Sequence, residues 1–115
     1  MLDRLNEINM LFDIYAPLLT AKQREVLQLY FSDNYSLAEI AGDYQISRQA
    51  VHDLIQRSLS ALEKFDRKLG LYALYNEQQD LITEAETLLE QKELDEKTLD
   101  RLRRLMAELR STTEK

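Results

Sequence analysis

The chain has 115 residues, 44% of them hydrophobic, a formal net charge of −6 and no cysteine. That length supports one domain with a modest core and excludes two ordinary ones, and the apolar content excludes a disordered chain. The missing cysteines exclude a disulfide framework and a thiolate metal site, and the acidic balance runs against the basic character usual in nucleic-acid binders.

Only two Gly and one Pro stand among abundant Leu, Glu, Lys, Arg and Gln, a composition that predicts an all-α protein. The opening stretch MLDRLNEINM is acidic and broken by polar residues, unlike a signal peptide, so a cytoplasmic location is expected. Leu2, Leu5, Ile8, Leu11, Phe12 and Tyr15 recur at three and four, which predicts an amphipathic helix ending before Pro17. Thr20 and Gln23 form a capping box that opens a second helix through Val26, Leu27 and Tyr30 to Phe31. Asp33 and Asn34 supply the turn after it.

Ser36 and Glu39 make another capping box, and Leu37, Ile40 and Ala41 give the short helix its apolar side. Residues 42–45 break the period, Ile46 is apolar, and Ser47 can cap a longer helix. Val51, Leu54, Ile55, Leu59, Leu62 and Phe65 run along one stripe of that helix, which should end near Gly70. A short capped helix, a tight turn and a longer capped helix describe a helix-turn-helix, whose second helix can lie in a DNA major groove. Ile40, Ala41, Ile46, Val51 and Ile55 should be buried between the two helices.

Beyond Gly70 the pattern changes. Leu71, Leu74, Tyr75, Gln78, Ile82, Ala85 and Leu89 step by three and four, with Leu81 and Leu88 beside them. Asp95 is a candidate N-cap, and Leu99, Leu102, Met106 and Leu109 repeat the pattern with Leu105 on the flank. Two helices joined by a charged turn at 91–94 have the spacing of a helical hairpin or coiled coil. The tail, 111–115, should fray. No apolar run reaches the ~18 residues of a spanning helix, so no membrane insertion is expected.

Taken at about 100° per residue, the outer side of the longer motif helix presents Gln49, His52, Asp53, Gln56 and Ser60, with Arg48 and Arg57 on its flanks. Gln can pair bidentately with adenine, and Arg can hold guanine or phosphate. The nucleic-acid-binding candidates are Arg48, Gln49, His52, Gln56 and Arg57, with Lys22, Arg24 and Lys64 as further phosphate contacts. The alternative is an ordinary solvated helix surface: residues 47–66 hold three basic and three acidic side chains, so the helix is neutral overall. His52, the only histidine, has no identifiable orienting partner or nucleophile for catalysis, nor co-ligands for a metal. Glycines at 42 and 70 alone cannot build a phosphate loop, and the carboxylates of the last two helices read as solvated, paired surface. Neither an enzyme, a cofactor, a metal nor a small-molecule substrate is expected. Tyr15, Tyr30 and Tyr44 fall at core-facing phases. Arg101, Arg103, Arg104 and Arg110 with Lys97 make the last helix locally basic, either as an RNA-contacting surface or as partners of Glu84, Glu86, Glu90 and Glu108.

The motif SLAEIAGDYQISRQAVHDLIQRSLSALEKF, with LTAKQREVLQLYF ahead of it, resembles the C-terminal helix-turn-helix of bacterial sigma factors, over residues 19–65. The chain as a whole resembles the YlxM family, found beside signal recognition particle genes in bacteria. One departure from the usual motif is Gln45 at the left-handed turn position where many such units carry glycine, at a cost of ~1–2 kcal/mol. The resemblance implies a regulatory helix-turn-helix protein connected with the signal recognition particle pathway, with the particle RNA or its GTPase as partners. The expected layout is a sigma-like helix-turn-helix bundle over 1–70 and a helical hairpin over 71–115, packed on the bundle or on a partner chain. Surplus apolar surface on the hairpin points to a homodimer. DNA binding, RNA binding and protein–protein adaptation with DNA binding lost all remain open readings.

Overall fold

The structure is a computed structural model and describes residues 2–113, with side chains from residue 4. Among the described residues the fold is all-α. The chain divides into two compact units, Met1–Gly70 and Leu71–Lys115.

The first unit holds α1 (Leu2–Tyr15), a 3₁₀ turn at Ala16–Leu18 containing Pro17, α2 (Ala21–Leu27), α3 (Leu37–Tyr44) and α4 (Arg48–Leu69). Both capping boxes form. Thr20 and Ser36 accept from the backbone N–H groups of Gln23 and Glu39, whose side chains return to the cap N–H groups. Four orphan donors are thereby satisfied at two helix starts. Helices α1, α2 and α3 all pack on α4. The core is Ile8, Leu11, Tyr15, Leu19, Val26, Leu27, Ile40, Ala41, Val51, Ile55 and Leu62. Tyr15 packs its ring 6.1 Å from that of Phe65 and donates to Asp66 at 2.7 Å, so its phenol is buried yet satisfied. Ser58, fully buried on the α4 stripe, donates to the Leu54 carbonyl at 2.7 Å and so satisfies its own hydroxyl.

Three expectations for this unit are corrected. Leu5 is exposed, because the buried line of α1 is Ile8, Leu11 and Tyr15 and Leu5 lies about 100° from its centre. Leu2, expected on the same stripe, lies outside the residues whose side chains are described. Tyr30 is exposed at 37%, because α2 does not continue as an α-helix. Its last turn, Gln28–Ser32, is π-helical, with the Asp33 N–H reaching the Gln28 carbonyl. A turn widened by one residue delays the phase of everything after it, which rotates Tyr30 off the core. Ile46 is half-buried; it lines a surface cleft at the start of α4.

The second unit is a helical hairpin, α5 (Leu71–Leu89) against α6 (Glu96–Thr112). Asp95 caps α6 through the Thr98 N–H at 2.8 Å. The seam differs from the expected one. Ala85 and Leu105 are its buried centres, flanked by half-buried Leu74, Gln78, Leu81 and Leu88 on α5 and Leu102 and Leu109 on α6. Leu71, Tyr75, Ile82, Leu89 and Met106, all placed on the seam by the sequence, are exposed at 37–57%. The α5 line 74, 78, 81, 85, 88 follows a stricter heptad, and the small Ala85 at its centre permits close helix approach. Gln78 donates to the Thr112 hydroxyl at 2.8 Å and Arg101 forks onto Glu84 at 2.7 and 2.9 Å, which fixes the hairpin register. Ser111 and Thr112 belong to α6, and Thr112 is buried, so the fraying expected for 111–115 does not hold at these positions; Glu114 and Lys115 lie outside the described residues.

Candidate nucleic-acid interface

The link between α3 and α4 is built by one residue. Gln45 ends α3 with φ 56° and ψ 45°, in the left-handed region, and its N–H reaches back to Ala41 and Gly42. Reversing the chain sense this way delivers Ser47 as the N-cap of α4, its Oγ accepting from the Ala50 N–H at 3.0 Å. Arg48 is then the first helical residue, at the positive end of the helix dipole.

All five candidate residues, Arg48, Gln49, His52, Gln56 and Arg57, are exposed on α4. Gln49 and Gln56 sit near the middle of the outer side, with Arg48 and His52 toward one edge and Arg57 toward the other. The structure ties two of them to an acid. The Gln49 amide donates to Asp53 at 3.0 Å, and His52 Nδ1 lies 3.7 Å from the same carboxylate. Arg48 and Arg57 make no ion pair among the described residues.

Arg57 shares a cleft of about 260 Å³ with Lys22, Ile46, Ala50, Asp53 and Leu54. Lys22, on α2, sits 6.0 Å above the Tyr44 ring, and Tyr44 in turn donates to Glu25 at 2.8 Å. Partial burial, and secondarily the Glu25 carboxylate, push the Tyr44 phenol upward. The phenol therefore stays neutral and keeps donating, steadying the aromatic platform under Lys22. Sequence reading places Lys22 among the phosphate contacts but not at this cleft, which arises only when α2 packs on α4; the sole signal is its capping box, which fixes where α2 begins. Arg24 and Lys64 are exposed and outside the cleft.

On α6, Arg101 pairs with Glu84 and, at 3.8 Å, with Glu108, while Arg103 pairs with Asp100. Arg104 and Arg110 make no ion pair among the described residues. Among the described residues no group of His, Asp and Glu is placed to hold a metal ion, and no helix is long and apolar enough to cross a membrane.

A short capped helix, a left-handed link and a longer capped helix with a polar outer side define a helix-turn-helix protein. The chain belongs to the UPF0122 family, described as "Putative helix-turn-helix protein, YlxM / p13 like", which matches residues 2–102. It is similar to the UPF0122 protein lmo1802 of Listeria monocytogenes, 42% identical over 106 residues that cover 91% of this chain and 96% of the relative. The UPF0122 protein of Limosilactobacillus fermentum is 51% identical over 84 residues, covering 70% of this chain and 74% of that protein. The UPF0122 protein GWCH70_1086 of Geobacillus is 40% identical over 99 residues, covering 86% and 90%.

Proposed function

We propose that this protein is a non-enzymatic regulator that contacts duplex DNA through α4. One observation carries the reading: Gln49 and Gln56 stand exposed on the outer side, with Arg48 and Arg57 exposed on its flanks, of a helix whose start is fixed by a serine cap and a left-handed link. Gln49 and Gln56 have the amides for bidentate pairing with adenine. Arg48 supplies a cation at the helix N-terminus, and Lys22 and Arg57 border one cleft beside α4 as phosphate contacts. The proposal extends to the signal recognition particle pathway on the resemblance of the whole chain to YlxM proteins.

A second reading has an observation of its own. The net charge of −6, with Asp53 inside the candidate surface, favours a protein–protein adaptor that has kept the helix-turn-helix and lost nucleic-acid binding.

A salt series separates them. Purified protein is titrated with random duplex DNA, with the particle RNA and with the particle GTPase. Nucleic-acid contact through several cations weakens steeply as salt rises, by counterion release, whereas an apolar adaptor contact hardly changes. On a duplex selected from a random pool, Arg48→Ala with Gln49→Ala is expected to cost about 1–3 kcal/mol for each base contact removed. Unchanged binding by that variant removes α4 as the reading element.

A further inference from the structure

The hairpin leaves an apolar side that its own seam does not use. On α5 the buried line is Leu74, Gln78, Leu81, Ala85 and Leu88, and the line displaced to one side of it carries Tyr75, Ile82 and Leu89, exposed at 39%, 37% and 57%. On α6 the line beside Leu105, Leu109 and Thr112 carries half-buried Leu99 and Met106, the latter 49% exposed. In an antiparallel pair, residues rotated in the same sense from the seam lie on the same side. Glu84 and Arg101 both precede their seams in rotation and meet at 2.7 Å. The apolar residues follow the seam on both helices, so they share the side opposite that ion pair. In the register set by Gln78–Thr112 and Arg101–Glu84, Ile82 stands level with Met106 and Leu89 level with Leu99.

We propose that this side binds the same side of a second copy of the chain, giving a two-fold hairpin-on-hairpin dimer. The proposal does not depend on what α4 contacts.

Two observations select a second copy. The first is charge. Helix α5 contains Glu77, Asp80, Glu84 and Glu86 and no Lys or Arg, whereas α6 sets five cations, Lys97, Arg101, Arg103, Arg104 and Arg110, against three acids, Glu96, Asp100 and Glu108. Glu86 borders the apolar line on α5. Arg110, and Arg103 in its pair with Asp100 at 2.9 Å, border Met106 on α6 around a shallow depression of about 340 Å³. Helix α5 is net acidic and α6 net basic, so setting α5 against the partner's α6 opposes unlike net charge, and two-fold symmetry does so twice. A partner of one uniform sign would leave one helix opposed to like charge. The second is area. The five side chains expose roughly 400 Å² of apolar surface per copy, taking side-chain areas near 200 Å². An interface core about 65% apolar then implies about 600 Å² per copy, at the lower end of specific dimers.

Sedimentation equilibrium on the full chain at tens of micromolar should give twice the chain mass. Ile82→Glu with Met106→Glu should return it to the chain mass with the helical circular dichroism signal kept, since both positions are exposed. Glu86→Arg alone should weaken association at least tenfold, and adding Arg110→Glu in the same chain, at a cation that makes no ion pair among the described residues, should restore it by exchanging the charges across the interface. The charge exchange decides the matter if the apolar double variant loses its helical signal. A monomeric wild type, a dimer that survives Ile82→Glu with Met106→Glu in folded form, or a charge exchange that fails to restore association each overturns the proposal.

Discussion

The side-chain amide of Gln49 donates to the carboxylate of Asp53 at 3.0 Å, one turn further along α4. His52 approaches the same carboxylate at 3.7 Å. A residue suited to reading a base is thus held by an acid that a phosphate backbone would repel. Asp53→Asn keeps the side-chain volume and removes the charge. If α4 contacts DNA, this variant should bind duplex about three- to tenfold more tightly at low salt, a gain that shrinks as salt screens it. Fluorescence anisotropy with a labelled duplex measures this. An affinity that stays level or falls would mean that Asp53 does not oppose DNA, and would count against α4 as the contact.

Gln45 offers a test of the helix link. Its φ of 56° places a side chain where glycine carries no steric penalty. Gln45→Gly should relieve ~1–2 kcal/mol of strain and lose part of that to the greater freedom of the unfolded chain, for a net gain of about 0.5–1 kcal/mol. Gln45→Val, with a branched Cβ in the same conformation, should destabilise. Urea melts of the two variants should move to opposite sides of wild type; a shift in the same direction for both refutes the strain account.

Ala41 tests the packing beneath that link. It is 8% exposed and lies on the same buried side of α3 as Ile40. A carboxylate there must either stay charged in an apolar contact or open the contact to water, so Ala41→Glu should cost more than about 3 kcal/mol. Ser36→Ala, which removes only the cap of α3, should cost about 1 kcal/mol. Thermal melts that rank the two variants the other way would show that α3 is held by its cap and not by its core face.

The helix-turn-helix was legible because its signals are local. Capping boxes at Thr20 and Ser36, the Ser47 cap and the break at Gln45 each act within four residues, and the structure realises all of them. The hairpin seam was legible only as a wide apolar arc. Periodicity shows that Leu74, Tyr75, Leu81 and Ile82 share a side of α5, but the partner helix chooses the line that is buried. That choice turns on Gln78 meeting Thr112 and on α6 closing over the small Ala85, both long-range facts. The π-helical turn at Gln28–Ser32 leaves no composition signal, since it is a matter of one additional residue per turn, and Tyr30 is therefore exposed where the α-helical period places it on the core. The candidate surface on α4 could be listed from the sequence, while its internal tie between Gln49 and Asp53 and its cleft with Lys22 needed the packed helices.

The hairpin also carries a pH dependence. The Thr98 side chain, and with it the Thr98 N–H at 2.8 Å, hold the Asp95 carboxyl below the usual carboxylate range. Arg101 does the same to Glu84. For a carboxylate lowered in the folded state, the stabilisation is present above the unfolded value and is lost as pH falls through the folded one. Unfolded Asp and Glu titrate near 3.9 and 4.3, so the loss should begin at about pH 4 and continue downward. Asp95→Asn keeps an oxygen able to accept from Thr98, and Glu84→Gln keeps one able to accept from Arg101, yet neither titrates. The double variant should melt below wild type at neutral pH and converge on it in acid, because only wild type loses these two contributions. Melts followed by circular dichroism at two protein concentrations separate any shift from self-association. Two curves running parallel from neutral pH to pH ~3 would show that neither carboxylate supports the hairpin through its charge.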